Sequence, residues 1–245
     1  MYVFMMLLSI LSGFLLLVSI AFYQGMQLKR NALRLPEATG KRLKTSNADF
    51  SILHIGESPV AGVGVEDIRQ GLTHRVVSQL SHELSVGFDW EILAKNGARI
   101  IDSLSFDAVI EEPDVLIVSF GVNDTTKFTR GSMFNKNMKA CVRRFSVGHT
   151  RVFVTSIPKI NQFPLLPPPL SWVLGVKAYL LDRQLQQLCE QEGWVYIQSE
   201  TALDASLMAE DGYHPNESGY QVWADIITDR ISEGWKARAA FVSRQ

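Results

Sequence analysis

From residue 50 onward the chain alternates between short apolar runs and longer amphipathic stretches, and it does so five times. The apolar runs lie at 50–55, 88–94, 114–120, 151–157 and 194–198. They are mostly continuous rather than alternating, as strands covered on both faces require. Between them, Ile68, Leu72, Val76, Leu80 and Leu84 form one helical stripe and Phe134, Met138, Cys141 and Phe145 another. Leu181, Leu185 and Leu188 form a third, and Tyr220, Trp223 and Ile227 a fourth. Few architectures accept such an alternation. Parallel strands need crossovers, the crossovers are right-handed, and the helices must cover both sheet faces. The pattern predicts an α/β domain over 50–235 with a five-stranded parallel sheet, and most of these apolar side chains are expected in its core.

The flanks are different in character. No charged side chain occurs between Met1 and Tyr23. As a helix this stretch spans roughly 34 Å, enough to cross a hydrocarbon core of about 30 Å. A transmembrane anchor over 1–23 is expected. The competing reading, a cleaved signal peptide, is disfavoured because no Lys or Arg precedes the apolar run and no small-x-small cleavage site follows it. Lys29, Arg30, Arg34, Lys41, Arg42 and Lys44 come next, in a basic juxtamembrane linker over 24–49 broken by Pro36 and Gly40. For a single-pass membrane protein the positive-inside rule leans to a cytoplasmic body, although an exported hydrolase with a retained anchor needs the opposite orientation. Residues 236–245 read as a tail. The length of 245 residues fits one domain with a small extra, and a formal net charge of −1 argues against a nucleic-acid partner. Two cysteines, Cys141 and Cys189, exclude a disulfide-rich scaffold and a paired-CxxC zinc module, leaving open a single bridge or two buried thiols.

In open α/β sheets, sites form in loops at the carboxyl ends of the strands. The first such loop reads Gly56-Glu57-Ser58-Pro59-Val60-Ala61-Gly62, the second Lys95-Asn96-Gly97-Ala98 and the third Gly121-Val122-Asn123-Asp124. The fourth opens with Pro158 and a long apolar insertion, and after the fifth strand comes Asp211-Gly212-Tyr213-His214-Pro215. A serine, an amide side chain, glycine backbone and an Asp–His pair therefore converge on one sheet edge. These are the parts of a serine acyl hydrolase: nucleophile, base, orienting carboxylate and oxyanion donors. The Asp-x-x-His spacing lets a carboxylate reach the imidazole Nδ1 within one tight turn, fixing the tautomer and steadying the imidazolium. Taken singly, Ser58 is as well explained as a helix cap and Asn123-Asp124 as turn residues. The agreement of all the loops favours chemistry.

Sharper motifs fail. Gly62-Val63-Gly64 opens like a dinucleotide fingerprint, but Asp67 stands where the third glycine belongs, and no P-loop follows the first strand. There is no His-Glu-x-x-His pair, and His54, His74, His82 and His149 do not group at metal-ligand spacing. The Gly-x-Ser-x-Gly elbow of the α/β-hydrolases fails because Val60 occupies its last position. That elbow also uses the N–H of the residue after the serine, and Pro59 has none.

The set Gly-Glu-Ser at 56–58, Gly97, Gly-x-Asn-Asp at 121–124 and Asp-x-x-His at 211–214 resembles the SGNH hydrolases, also called GDSL esterases/lipases, over roughly residues 50–232. The resemblance implies a flavodoxin-like three-layer αβα sandwich. It implies Ser58 as nucleophile, His214 as general base and acid, and Asp211 as its orienting partner. It implies an oxyanion hole from the Ser58 N–H, the Gly97 N–H and the Asn123 side chain, and an acyl-enzyme mechanism needing no metal or organic cofactor. One departure is Glu57, where the family carries Asp. That acid is not a triad member, so the change bears on local loop geometry and rate.

The insertion at 158–175 bears on substrate. Pro158, Pro164, Pro167, Pro168 and Pro169 are interleaved with Phe163, Leu165, Leu166, Leu170, Trp172, Val173 and Leu174. Phe163, Leu165 and Trp172 are the expected substrate-binding residues, lining an acyl pocket or touching the bilayer. A proline-stiffened loop packing on its own domain is the structural alternative. The expected partner is a small-molecule or lipid ester. A thioesterase, deacetylase or acyltransferase shares these features, and a membrane-tethered domain without catalysis is the reading of another class.

Overall fold

In the computed structural model, which describes residues 2–198 and 204–242, one sheet of six strands runs in the order β1-β3-β2-β4-β5-β6. β2 (Phe50–Gly56), β3 (Phe88–Ala94), β4 (Val115–Ser119), β5 (Arg151–Thr155) and β6 (Val195–Ile197) are the five expected parallel strands. Their side chains alternate between two cores. Val115 and Ile117 of β4 enter one, and Leu116 and Val118 the other. With both faces buried, most interior strand positions are apolar, which explains the nearly continuous runs.

The helices fill both layers. α2 (Leu72–Leu84) and α6 (Glu217–Val242) cover one face. α4 (Gly131–Phe145) and α5 (Leu170–Glu192) cover the other, and the short α3 (Val122–Thr126) follows β4. Val76 and Leu80 of α2 and Tyr220 and Ile227 of α6 are buried, as their spacing predicts. Ile68 belongs instead to a separate 3-10 turn, Ile68–Gln70, capped by the Asp67 side chain and closed before α2 by Gly71. Helix α6 continues past residue 235, and the last three residues of the expected tail, like Met1, lie outside the described residues.

The sixth strand, β1 (Leu43–Lys44), pairs antiparallel with the outer edge of β3. It comes from the basic segment ahead of the domain, and two residues are too few to carry a period. Nearby, Ala38 is buried and Glu37 accepts from the Asn96 N–H at 2.6 Å and pairs with Arg42 at 2.8 Å. This segment is therefore laid along the domain edge.

Helix α1 (Tyr2–Asn31) continues eight residues beyond the expected anchor over 1–23, and its first charged residue is Lys29. Among the described residues it contains the one segment, Phe4–Asn31, long and apolar enough to cross a membrane. Its C-terminal part rests on the domain. Ala21 is buried and Leu28 packs against the α4/α5 core. The Gln24 amide donates to Pro168 O at 2.9 Å and accepts from the Leu170 N–H at 3.1 Å, satisfying a donor that the first turn of α5 would leave unpaired.

Two buried features settle points the sequence left open. Cys141 and Cys189 are both buried and free. His54, at the centre of β2, is fully buried between Ser119 Oγ at 3.0 Å and Thr73 Oγ1 at 2.9 Å, and burial pushes its pKa down to about 3.

Candidate active site

The chain leaves β2 for β3 on one side and returns to β4 on the other, so β2 and β4 are neighbours at a topological switch point, where open α/β sheets place ligands. Ser58 lies just past the end of β2 and Asn123 just past the end of β4. The two strand ends approach closely. A Cβ at Gly56 would lie 2.8 Å from Ser119 O, and the Glu57 N–H donates to that same carbonyl at 3.2 Å. The N–H groups of Val60 and Ala61 both return to Glu57 O, curling the chain into a tight turn that holds Ser58, only 6% exposed. On the β4 side, Gly121 precedes α3 with a φ of 144°, a conformation hostile to other residues, and a side chain there would collide with Ile157.

Glu57 joins these two loops. One carboxylate oxygen accepts from the Val122 N–H at 2.9 Å, the other from the Asn123 N–H at 2.9 Å and from Asn123 Nδ2 at 2.6 Å. Glu57 thus caps α3 and orients the Asn123 side chain. Burial raises its pKa to about 7, against the opposing pull of the two backbone N–H groups. Asn123 Nδ2 also donates to Ala98 O at 3.1 Å, next to Gly97. Both amide hydrogens of Asn123 are therefore directed at protein acceptors. Gly97 itself is exposed with a φ of 79°, and a Cβ there would meet nothing within 4 Å.

The third component is the loop ahead of α6. Asp211 Oδ2 lies 2.6 Å from His214 Nδ1, while Oδ1 accepts from the N–H groups of Tyr213 at 2.9 Å and His214 at 3.0 Å. Burial of the Asp211 carboxyl raises its pKa, but the His214 ring and the two N–H groups outweigh this and hold it below the usual value. A carboxylate in this position makes Nδ1 the protonated ring nitrogen. Nε2 has no hydrogen bond among the described residues, including none from Ser58. The Tyr220 hydroxyl, buried in α6, donates to Val63 O at 2.6 Å and ties this region to the loop after Ser58.

Ser58 and His214 line one pocket, whose other walls include Pro59, Val122, Pro158, Phe163 and Tyr213. The Phe163 ring meets Tyr213 edge-on at 5.0 Å, and Tyr213 meets His214 at 5.2 Å. Of the expected substrate-binding residues, Phe163 alone enters this pocket. Leu165 lies beside Gly212, in a separate groove bordered by Asp211 and by Gln24 and Leu28 of α1. Trp172 is 59% exposed on the outer side of α5. Leu170 and Leu174 turn that helix inward, so a residue two after Leu170 points away. Sequence reasoning missed Val122, Leu207, Met208 and Trp223 as pocket walls. Trp223 is part of a helical stripe read as core, and Leu207 and Met208 sit in a segment without a period. Among the described residues, no three His, Cys, Asp or Glu side chains stand close enough to hold a metal ion.

A parallel αβα sandwich with a serine and an aspartate-bound histidine at the switch point has the form of an SGNH-type hydrolase. Residues 54–222 match the model of the GDSL-like lipase/acylhydrolase family, and the chain belongs to that family. By that membership it is a carboxylic ester hydrolase. No curated protein matches the chain significantly. The fold is similar to the psychrotrophic esterase EstA from a Pseudoalteromonas species at 17% identity, covering 77% of this chain and 100% of that one, with a TM-score of 0.62. It is also similar to the lipase Lip_vut3 from a goat rumen metagenome, at 16% identity over 73% of this chain and 95% of that one, TM-score 0.59. The acetylxylan esterase Axe2 from Geobacillus stearothermophilus is 15% identical over 75% of this chain and 94% of that one, TM-score 0.57.

Proposed function

We propose that the protein hydrolyses esters with an apolar acyl group, using Ser58 as nucleophile, His214 as general base and acid, and Asp211 as orienting carboxylate. The observation that carries this reading is the 2.6 Å Asp211–His214 contact beside Ser58 in one pocket with largely apolar walls. The pair makes Nε2 the proton acceptor, and Ser58 attacks the ester carbonyl as its proton passes to Nε2. The oxyanion is held by the N–H groups of Ser58 and Gly97 and by Asn123 Nδ2, which shares a hydrogen with its present acceptors, Glu57 and Ala98 O. His214 then protonates the leaving alcohol, and water repeats the sequence on the acyl-enzyme. Phe163 supports an apolar acyl site.

The uncharged stretch of α1 acts as a single-pass anchor in this reading, and the basic residues after it favour a cytoplasmic body. Ser58→Ala tests the chemistry: it abolishes hydrolysis of a short p-nitrophenyl ester and labelling by a fluorophosphonate probe while near-ultraviolet circular dichroism stays unchanged. Retained turnover or labelling would remove Ser58 from the nucleophile's role.

A further inference from the structure

The outer face of α5 changes character along its length. In its first three turns the outward residues are Trp172, Val176, Tyr179 and Leu180, each more than half exposed. They fall at helical spacing and form one stripe. Beyond them the same face carries Arg183, Gln187 and Glu190, all exposed. Among the described residues the other helices covering the sheet are mostly charged or polar outside, with Arg143 and Arg144 on α4, where Met133 is the one exposed large apolar side chain, and Asp225, Asp229 and Arg230 on α6. Outside α1, nine large apolar side chains of the described residues are exposed, and four of them make up this stripe. A fifth, Phe128, is brought beside it, because Lys177 of α5 donates to Thr129 O at 2.6 Å.

The stripe begins where the domain is joined to α1. Gln24 holds Pro168 O and the Leu170 N–H, so the first turn of α5 sits at the level of α1 where the apolar stretch over 1–23 gives way to Gln24. Taking that stretch as the membrane anchor, on which this inference rests, residue 24 lies at the interface between hydrocarbon and water. Lys29 and Arg30 in the last turns of α1, and Arg34 just beyond its end, are exposed where anionic headgroups would lie. Trp and Tyr flanked by aliphatic residues are the side chains that settle into that interfacial zone.

We infer that the anchor-proximal half of α5 is a membrane-docking surface, laid on the bilayer through Trp172, Val176, Tyr179 and Leu180. The polar half beyond Arg183 stays in water. Docking fixes the domain against the lipid surface instead of letting it swing on its tether. It also brings the groove formed by Leu165, Pro167 and the end of α1, which borders Asp211, to the bilayer. The ester substrate would then be delivered from the lipid phase.

The test uses the full chain reconstituted in phosphatidylcholine/phosphatidylglycerol vesicles and labelled with bimane at Tyr179→Cys, with His82→Cys on α2 as the reference position. Flotation after carbonate washing reports the anchor independently of docking. Lipids with a nitroxide high on the acyl chain should remove roughly half or more of the emission at 179, since interfacial helices sit about 5–10 Å into the headgroup boundary, and little of it at 82. A second variant, V176S/Y179S/L180S, should hydrolyse soluble p-nitrophenyl acetate at the parent rate and lose several-fold in rate on a long-chain ester presented in vesicles. A chain that fails to float overturns the anchor reading. A chain that floats with no quenching at 179 overturns docking alone. Concentration-dependent energy transfer between labelled chains without lipid quenching would assign the stripe to a second copy and equally overturn it.

Discussion

Replacing Glu57 by glutamine should separate two roles that the wild-type carboxylate combines. The Glu57 carboxyl titrates at about 7 in place of 4.5, because burial penalises its charged form more than its hydrogen bonds to Val122 and Asn123 favour it. At about 1.4 kcal/mol per pH unit this corresponds to about 3 kcal/mol. The folded-state value is raised, so the stability this group contributes is fully present below about pH 4.5 and is lost as pH rises through about 7. Glutamine does not titrate. The difference in stability between wild type and Glu57→Gln should therefore move by about 3 kcal/mol in favour of the variant from pH 4.5 to 8. For a chain of this size that is roughly 6–12 °C in Tm, within easy reach of thermal-shift assays on detergent-solubilised protein. Activity should respond separately. The Gln oxygen replaces only one of the two carboxylate oxygens; with it on the Val122 N–H, the NH2 meets the Asn123 N–H and Nδ2 donor against donor. Asn123 then turns away, with a loss in kcat of roughly 10²-fold or more if it serves the oxyanion. A difference curve flat across this pH window, together with unchanged kcat, would refute both the burial argument and the positioning role.

His54 predicts the opposite limb. Its folded-state pKa lies at about 3, below the ordinary 6.5, so its contribution is present above about pH 6.5 and is lost as pH falls. His54→Asn should flatten the acid side of the Tm profile relative to wild type, at the cost of a lower Tm at neutral pH. Phe163→Ala should weaken discrimination along an acyl series from acetyl to octanoyl. Flat rates for the wild-type chain across that series would count against an apolar acyl pocket.

Much of the fold was legible because burial on both faces writes itself into each strand as an unbroken apolar run. The runs at 50–55 and 88–94 coincide closely with β2 and β3. Edge strand β1 was not legible, since two residues, one half-buried and one exposed, leave no period. Ser58, Asn123 and the Asp211–His214 pair could be nominated because local chemistry and strand order restrict what loops at one sheet edge can hold. Trp172 shows the limit of that reasoning. Apolar residues beside prolines suggest a pocket wall, but the starting phase of α5 decides which of them point inward.

The amino-acid sequence by itself determined the order of the five parallel strands and their main covering helices, the uncharged N-terminal stretch and the Asp211–His214 pairing, because each depends on periodicity or on contacts three residues apart. Only the tertiary structure decided that Glu57 holds Asn123, that Phe163 enters the pocket while Leu165 and Trp172 do not, and that α1 is clasped to α5. These contacts join segments 66 residues apart at the Glu57–Asn123 bond and 144 apart at the Gln24–Pro168 bond. Their partners are chosen by how whole elements pack, which no local pattern encodes.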